Sequence, residues 1–131
     1  MQGGLTSLTK CLEIQDLICK EKLDVLYLNE TNLKSDMDSA SLNLPKNFTF
    51  IRKDRPNDSG RGGCGILISE HIKFKMVHLN LVLKYDQIEA IWIHLTDSNI
   101  YICCFYRSEL FSPLDKFLDY MTDCMMSIGS K

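Results

Sequence analysis

Apolar positions along this chain fall into short runs at two periods. The stretch Leu23-Asp24-Val25-Leu26-Tyr27-Leu28-Asn29-Glu30-Thr31 is an apolar run too brief for a helix, and it closes on an acid. Near-continuous runs of that length read as strands buried on both faces, which places a strand at 24–29. Upstream, Leu5, Leu8, Cys11, Leu12 and Ile18 recur at helical spacing, with Ile14 and Leu17 widening the stripe. Thr6 or Ser7 can cap that element by accepting an early backbone N–H. The spacing predicts a helix over about residues 7–21.

Residues 34–46 are polar and rich in Ser, Asp and Asn, a loop with room for one helical turn. Phe48 and Phe50 alternate with Thr49 and Ile51, a strand at 47–52. A second loop at 53–63 carries Pro56, Gly60, Gly62 and Gly63, and a strand at 65–68 follows it. Ile72, Phe74, Met76 and His78 alternate with Lys73, Lys75 and Val77, a half-exposed strand at 72–79. Two strong strands at 88–96 and 99–107 are joined by Asp97 and Ser98, a hairpin signal. For the last element, Ser112 can cap, Pro113 suits the first helical position, and Asp115 favours the positive helix start. Leu114, Phe117, Leu118, Met121, Met125 and Ile128 form one stripe, read as core, and Gly129 can close the helix in the left-handed conformation.

The hairpin strands are apolar on both faces. One carries Ile88, Ala90, Trp92 and His94 against Glu89, Ile91, Ile93 and Leu95; the other carries Ile100, Ile102, Cys104 and Tyr106 against Tyr101, Cys103 and Phe105. Such a sheet needs cover above and below. Either the two helices split across it or a layer is missing. The reading adopted is a missing layer and an exposed apolar face.

The 131 residues fit one domain spanning the whole chain, long enough for a sizeable core. Hydrophobic residues at 45% and charged residues at 24% describe ordinary globular protein rather than a disordered chain. A net charge of -2 gives no global attraction to nucleic acid, so any such binding needs a local basic patch. No run is long enough to span a bilayer and no signal peptide is visible. The six cysteines lie mostly among apolar residues with no CxxC spacing, and are read as reduced core thiols of an intracellular protein. A thiol-redox function lacks the cysteine spacing it requires.

Little of the sequence matches a catalytic pattern. No P-loop, GxGxxG, HExxH or zinc-ligand spacing is present. Gly60-Arg61-Gly62-Gly63-Cys64-Gly65 precedes a strand, whereas phosphate loops precede a helix, so it reads as a tight turn. His71, His78 and His94 are scattered, and no GxSxG elbow supports a serine nucleophile. What remains is Glu30 with Tyr106 and Arg107, all at the carboxyl ends of strands. If those strands are parallel neighbours, a carboxylate, a phenol and a guanidinium converge on one edge. The carboxylate can hold Mg²⁺, which takes one or two protein carboxylates together with water and phosphate oxygens. The phenol and guanidinium can bind phosphate oxygens. That is half of a phosphodiester-cleaving site.

Asp24-Val25-Leu26-Tyr27-Leu28-Asn29-Glu30-Thr31-Asn32-Leu33 resembles the acid-ended strand of the endonuclease/exonuclease/phosphatase superfamily, above all the endonuclease domains of non-LTR (LINE-type) retrotransposons. Ser59-Gly60-Arg61-Gly62-Gly63-Cys64-Gly65-Ile66-Leu67-Ile68 is similar to that group's Arg-Gly-Gly strand opening. Ile88-Glu89-Ala90-Ile91-Trp92-Ile93, followed by Ile100 to Tyr106-Arg107, resembles its central hairpin, and Phe117-Leu118 fits the helix beyond. The four motifs occur in order over nearly the whole chain.

The resemblance implies that Glu30 is a metal ligand and Tyr106 a catalytic tyrosine touching phosphate, while Arg107 is expected to be phosphate-binding from its guanidinium at the strand end. The resemblance also implies Mg²⁺ as cofactor, DNA as partner, and a nuclear location. Asn32 stands where the family has Trp, and Ser108 where it has Pro. The family's first strand with its catalytic Asn, its Asp-x-Asn strand and its closing Asp-His pair have no counterpart, so the fragment is expected to be catalytically incomplete. The fold expected is α/β: half of a four-layer α/β sandwich, one mixed sheet with two helices on one face. The competing expectation is a non-catalytic fragment that docks a protein partner on its exposed apolar face, with no membrane association.

Overall fold

A computed structural model describes residues 4–55, 62–78, 89–106 and 114–129. A 3-10 turn at Gly4–Thr6 leads into helix α1, Leu8–Glu21. Ser7 caps α1 as its type suggests: the backbone there is extended and its Oγ accepts the Lys10 N–H at 3.3 Å. The helix stops where Lys22 turns left-handed (φ 53°) and the Leu23 N–H reaches back to the Ile18 carbonyl. The strands are β1 (Val25–Asn29), β2 (Phe48–Lys53), β3 (Cys64–Ser69), β4 (Phe74–Met76), β5 (Glu89–Leu95) and β6 (Ile100–Tyr106), before helix α2 (Leu114–Gly129).

The expected single mixed sheet is instead two three-stranded sheets, ordered β1-β3-β2 and β4-β5-β6, with every pairing antiparallel. Side chains alternate across a strand, and here the alternation sorts them into two cores. In the first sheet, Leu26, Leu28, Phe48, Phe50 and Leu67 face α1 and meet Leu5, Ile14 and Ile18. Val25, Ile51, Cys64, Ile66 and Ile68 face the second sheet and meet Ile91, Ile93, Ile102 and Cys104. The second sheet's other face, with Ala90, Trp92 and Phe105, lies against Phe117, Tyr120 and Cys124 of α2.

The two helices therefore do not share one face, and the expected missing layer is not found among the described residues. The apolar inner face of each sheet is covered by the other sheet. Strand β3, central in its sheet and sandwiched between α1 and the second sheet, is buried along its whole length. Each fully buried Ile there contributes about 1.5–3 kcal/mol of apolar transfer.

Both helix stripes are narrower than the sequence pattern. In α1 the buried positions are Cys11, Ile14 and Ile18, while Leu8, Leu12 and Leu17 are exposed. In α2 they are Phe117, Tyr120 and Cys124, while Leu114, Leu118 and Met125 are exposed. Tyr120 is drawn inward because its hydroxyl accepts the Trp92 Nε1–H at 3.0 Å, giving both polar tips a partner. Gly129 is helical and does not adopt a positive φ. The half-exposed strand expected at 72–79 shrinks to Phe74–Met76, because Ile72 closes a turn onto the Ser69 carbonyl. Leu79, Ile88, the Gly60-Arg61 pair, Arg107, Ser108 and the Ser112-Pro113 cap lie outside the described residues. Among the described residues, no helix is long and apolar enough to cross a membrane.

Candidate functional site

Antiparallel pairing puts the carboxyl end of β1 beside the amino end of β3, with Asn29 opposite Cys64. In the other sheet, the carboxyl end of β6 lies beside the start of β5, with Tyr106 opposite Glu89. Stacking the sheets brings these two corners together at one rim. Glu30 and Tyr106 meet there, although their strands are neither parallel nor in the same sheet. The Tyr106 hydroxyl donates to Glu30 Oε1 at 3.0 Å.

Simple alternation would put Glu30 on the α1 face with Leu26 and Leu28. The backbone prevents this: Glu30 has φ 54°, a left-handed conformation that costs a non-glycine residue roughly 1–2 kcal/mol. The alternation breaks and the carboxylate reaches the opposite sheet. The distortion is held by a clamp between two short segments. Thr31 N–H donates to the Gly63 carbonyl and Asn32 N–H to the Gly62 carbonyl, while Gly62 N–H donates to Asn32 Oδ1 at 2.9 Å. Asn32, Gly62 and Gly63 also have positive φ, a conformation Gly and Asn tolerate best.

Behind Tyr106 lies a buried ion pair. Glu89 is only 1% exposed; its Oε1 accepts the Gly63 N–H at 2.8 Å and the Arg55 Nε–H at 3.3 Å. The Arg55 guanidinium carbon sits 5.4 Å from the centre of the Tyr106 ring, within cation–π range. Gly62 leaves room for this: a Cβ there would collide with the guanidinium. Burial raises the Tyr106 pKa, the neighbouring Glu30 raises it further, and Arg55 opposes both. The phenol therefore stays protonated, and a donor, through neutral pH. Thr31 Oγ1 and Asp54 Oδ1 are buried in the same corner without a partner among the described residues.

Of the expected site residues, Glu30 and Tyr106 come together, and Arg107 lies outside the described residues. Sequence reasoning missed Glu89 and Arg55. The signal for Glu89 was present: an acid heading an inward row otherwise made of Ile91, Ile93 and Leu95 needs a buried partner. Nothing in the local sequence identified Arg55 as that partner.

A second constellation sits at the opposite rim. Ser69 Oγ lies 2.7 Å from His71 Nδ1, and His71 Nε2 lies 3.2 Å from Asp24 Oδ1. The residue order is that of a serine–histidine–carboxylate triad, but with the two imidazole nitrogens exchanged. The chemistry is not, because an acyl-transfer site also needs backbone N–H groups aimed at an oxyanion. The amides of Ser69, Glu70 and Ile72 are spent on the carbonyls of Asp24, Asn47 and Ser69. The His71 and Asp24 side chains are 69% and 54% exposed, so this is a solvated turn.

Mg²⁺ suits the Glu30 rim only in one form. Among the described residues no three His, Cys, Asp or Glu side chains converge on a point. An all-protein cage is therefore not available from them. A cation held by one carboxylate and completed by water and phosphate oxygens fits the donors present. No family model, no curated protein and no solved structure matches this chain.

Proposed function

We propose that the chain is a Mg²⁺-dependent DNA endonuclease domain of the non-LTR retrotransposon kind, within the endonuclease/exonuclease/phosphatase superfamily. Its described residues supply the metal-carboxylate and phosphate-contact half of a phosphodiester site. The observation that carries this reading is the meeting of Glu30 and Tyr106 across two sheets at one rim, held by a strained backbone. Strained φ angles that the surroundings enforce cluster at functional sites. The order of contacts, α1 on one sheet, sheet on sheet, then α2, supports the four-layer α/β sandwich of that family.

In this reading Glu30 would hold the cation, and the protonated Tyr106 hydroxyl would give up its bond to Glu30 and donate its one proton to a non-bridging phosphate oxygen. The bound Mg²⁺ supplies charge stabilisation at the phosphoryl group. Of the three described histidines, His71 and His94 are engaged elsewhere, with Ser69 and Asp24 and with Asn99, and His78 is exposed beyond β4. No general base is assigned at this rim, so turnover is expected to be slow.

The test is nicking of supercoiled plasmid by the pure chain with Mg²⁺. Nicking should disappear with chelator and with Glu30→Gln, and fall about tenfold or more with Tyr106→Phe. Nicking that survives Glu30→Gln contradicts the site. A folded chain that does not nick favours a second reading, a protein-docking fragment. That reading moves from the sheet face, now covered, to the exposed Leu114, Leu118 and Met125 of α2.

A further inference from the structure

We infer that Glu89 is a positioning residue that holds the Arg55 guanidinium beside Tyr106, making Arg55 and the Tyr106 hydroxyl the anion-receiving side of the rim, opposite Glu30. The inference rests on the phosphodiester reading for its ligand class, a phosphate oxyanion.

Three observations carry it. Glu89 and Arg55 are an unequal pair: the Glu89 side chain is 1% exposed and the Arg55 side chain 12%. Arg55 is the more accessible of the two. Arg55 is held on two sides, with Nε committed to Glu89 and its planar group over the Tyr106 ring. The hollow it occupies exists because position 62 has no side chain, and the same turn donates the Gly63 N–H that fixes the other partner, Glu89 Oε1. A buried ion pair is a poor source of stability compared with apolar packing, and this one lies a side chain away from the Glu30–Tyr106 contact. Geometry of this kind orients a planar cation for phosphate oxygens. Glu89 itself touches no ligand; it acts through Arg55.

Inorganic phosphate, without metal or DNA, is the probe. The full chain, labelled at tyrosine and arginine, is titrated by NMR while the Tyr106 ring signal and the Arg55 Nε–H signal are followed. The wild-type signals should move together and saturate. Arg55→Met should weaken phosphate binding about tenfold or more, and Arg55→Lys should restore part of it, because a point charge replaces the fork.

Glu89→Gln is decisive through its sign. Removing a negative charge near an anion site tightens anion binding if charge alone matters. If Glu89 positions Arg55, the same change weakens binding. Glu30→Gln, which removes a charge facing the anion, should tighten it. Thermal melting of each variant reports folding; if Glu89→Gln does not fold, the Arg55→Met and Arg55→Lys pair decides. Unchanged phosphate binding in Arg55→Met, or tighter binding in folded Glu89→Gln, overturns the inference. Because neither Mg²⁺ nor DNA is present, a chain that never nicks can still pass this test, and a chain that nicks can fail it.

Discussion

Asp24 precedes β1 and Glu30 follows it, so one strand presents a carboxylate at each rim of the same sheet. At the Asp24 rim the partners are His71 and, beyond it, Ser69, and both ionisable side chains are more than half exposed. At the Glu30 rim the partner is Tyr106 from the opposing sheet, backed by a buried Arg55–Glu89 pair and a left-handed clamp. Connectivity alone would rank the first rim as the more enzyme-like. Desolvation and enforced strain rank the second, because water screens exposed charges and leaves their geometry loose. A constellation of reactive residue types means little until the structure withdraws it from solvent and fixes it.

The largest expected effect that can break this comparison is at Glu89. Glu89→Ala leaves the Arg55 cation and the Gly63 N–H without their partner, and should cost about 3–5 kcal/mol in urea denaturation. His71→Ala at the other rim should cost no more than about 1 kcal/mol in the same assay. Equal losses would mean that the two rims are not physically different.

Next comes the clamp. Gly63 has φ 80°, and a Cβ there would lie 2.8 Å from Thr31 Oγ1 and 3.0 Å from the Lys53 carbonyl oxygen. Gly63→Ala should lower stability by about 1–3 kcal/mol, through strain and crowding together. A melting temperature unchanged from wild type would remove the clamp from the account.

Much of this contrast was legible in the sequence, and the missing parts share one physical cause. Alternation along β5 and β6 separated the face that meets the other sheet from the face that meets α2, so one side of the inter-sheet core could be read from it. The Ser7 cap and the acid-ended β1 were also local signals. The pairing of strands was not legible, because an apolar run of that length suits a parallel or an antiparallel neighbour. That one ambiguity produced a single mixed sheet with a bare face where there are two sheets covering each other. Glu30 and Tyr106 do meet, though not through the parallel adjacency expected of their strands. Arg55 was out of reach because its partners, Glu89 and the Tyr106 ring, are distant in sequence and meet it only after the sheets stack. The helix stripes came out too wide because hydrophobicity at positions such as Leu118 and Met125 does not reveal which side of the helix meets the sheet.

A smaller effect concerns alkaline pH. The Tyr106 pKa is raised in the folded state, chiefly by burial and then by Glu30. The folded chain therefore holds that proton more tightly than the unfolded chain does. Its contribution to stability is fully present below the ordinary tyrosine value near 10 and is lost as pH rises through the higher folded value. Denaturation midpoints across that window should fall more steeply for wild type than for Tyr106→Phe. Parallel curves would place Tyr106 in ordinary solvent. The smallest effect belongs to the open rim: Asp24→Asn should change stability by no more than about 0.5 kcal/mol and leave plasmid nicking unaltered.

The most direct measurement is the location of a bound divalent cation. With Mn²⁺ as a paramagnetic substitute for Mg²⁺, amide line broadening in the full chain should centre on Glu30 and Tyr106. It should vanish in Glu30→Gln and persist in Asp24→Asn. Broadening centred on Asp24, or broadening around Glu30 that survives Glu30→Gln, would contradict the account.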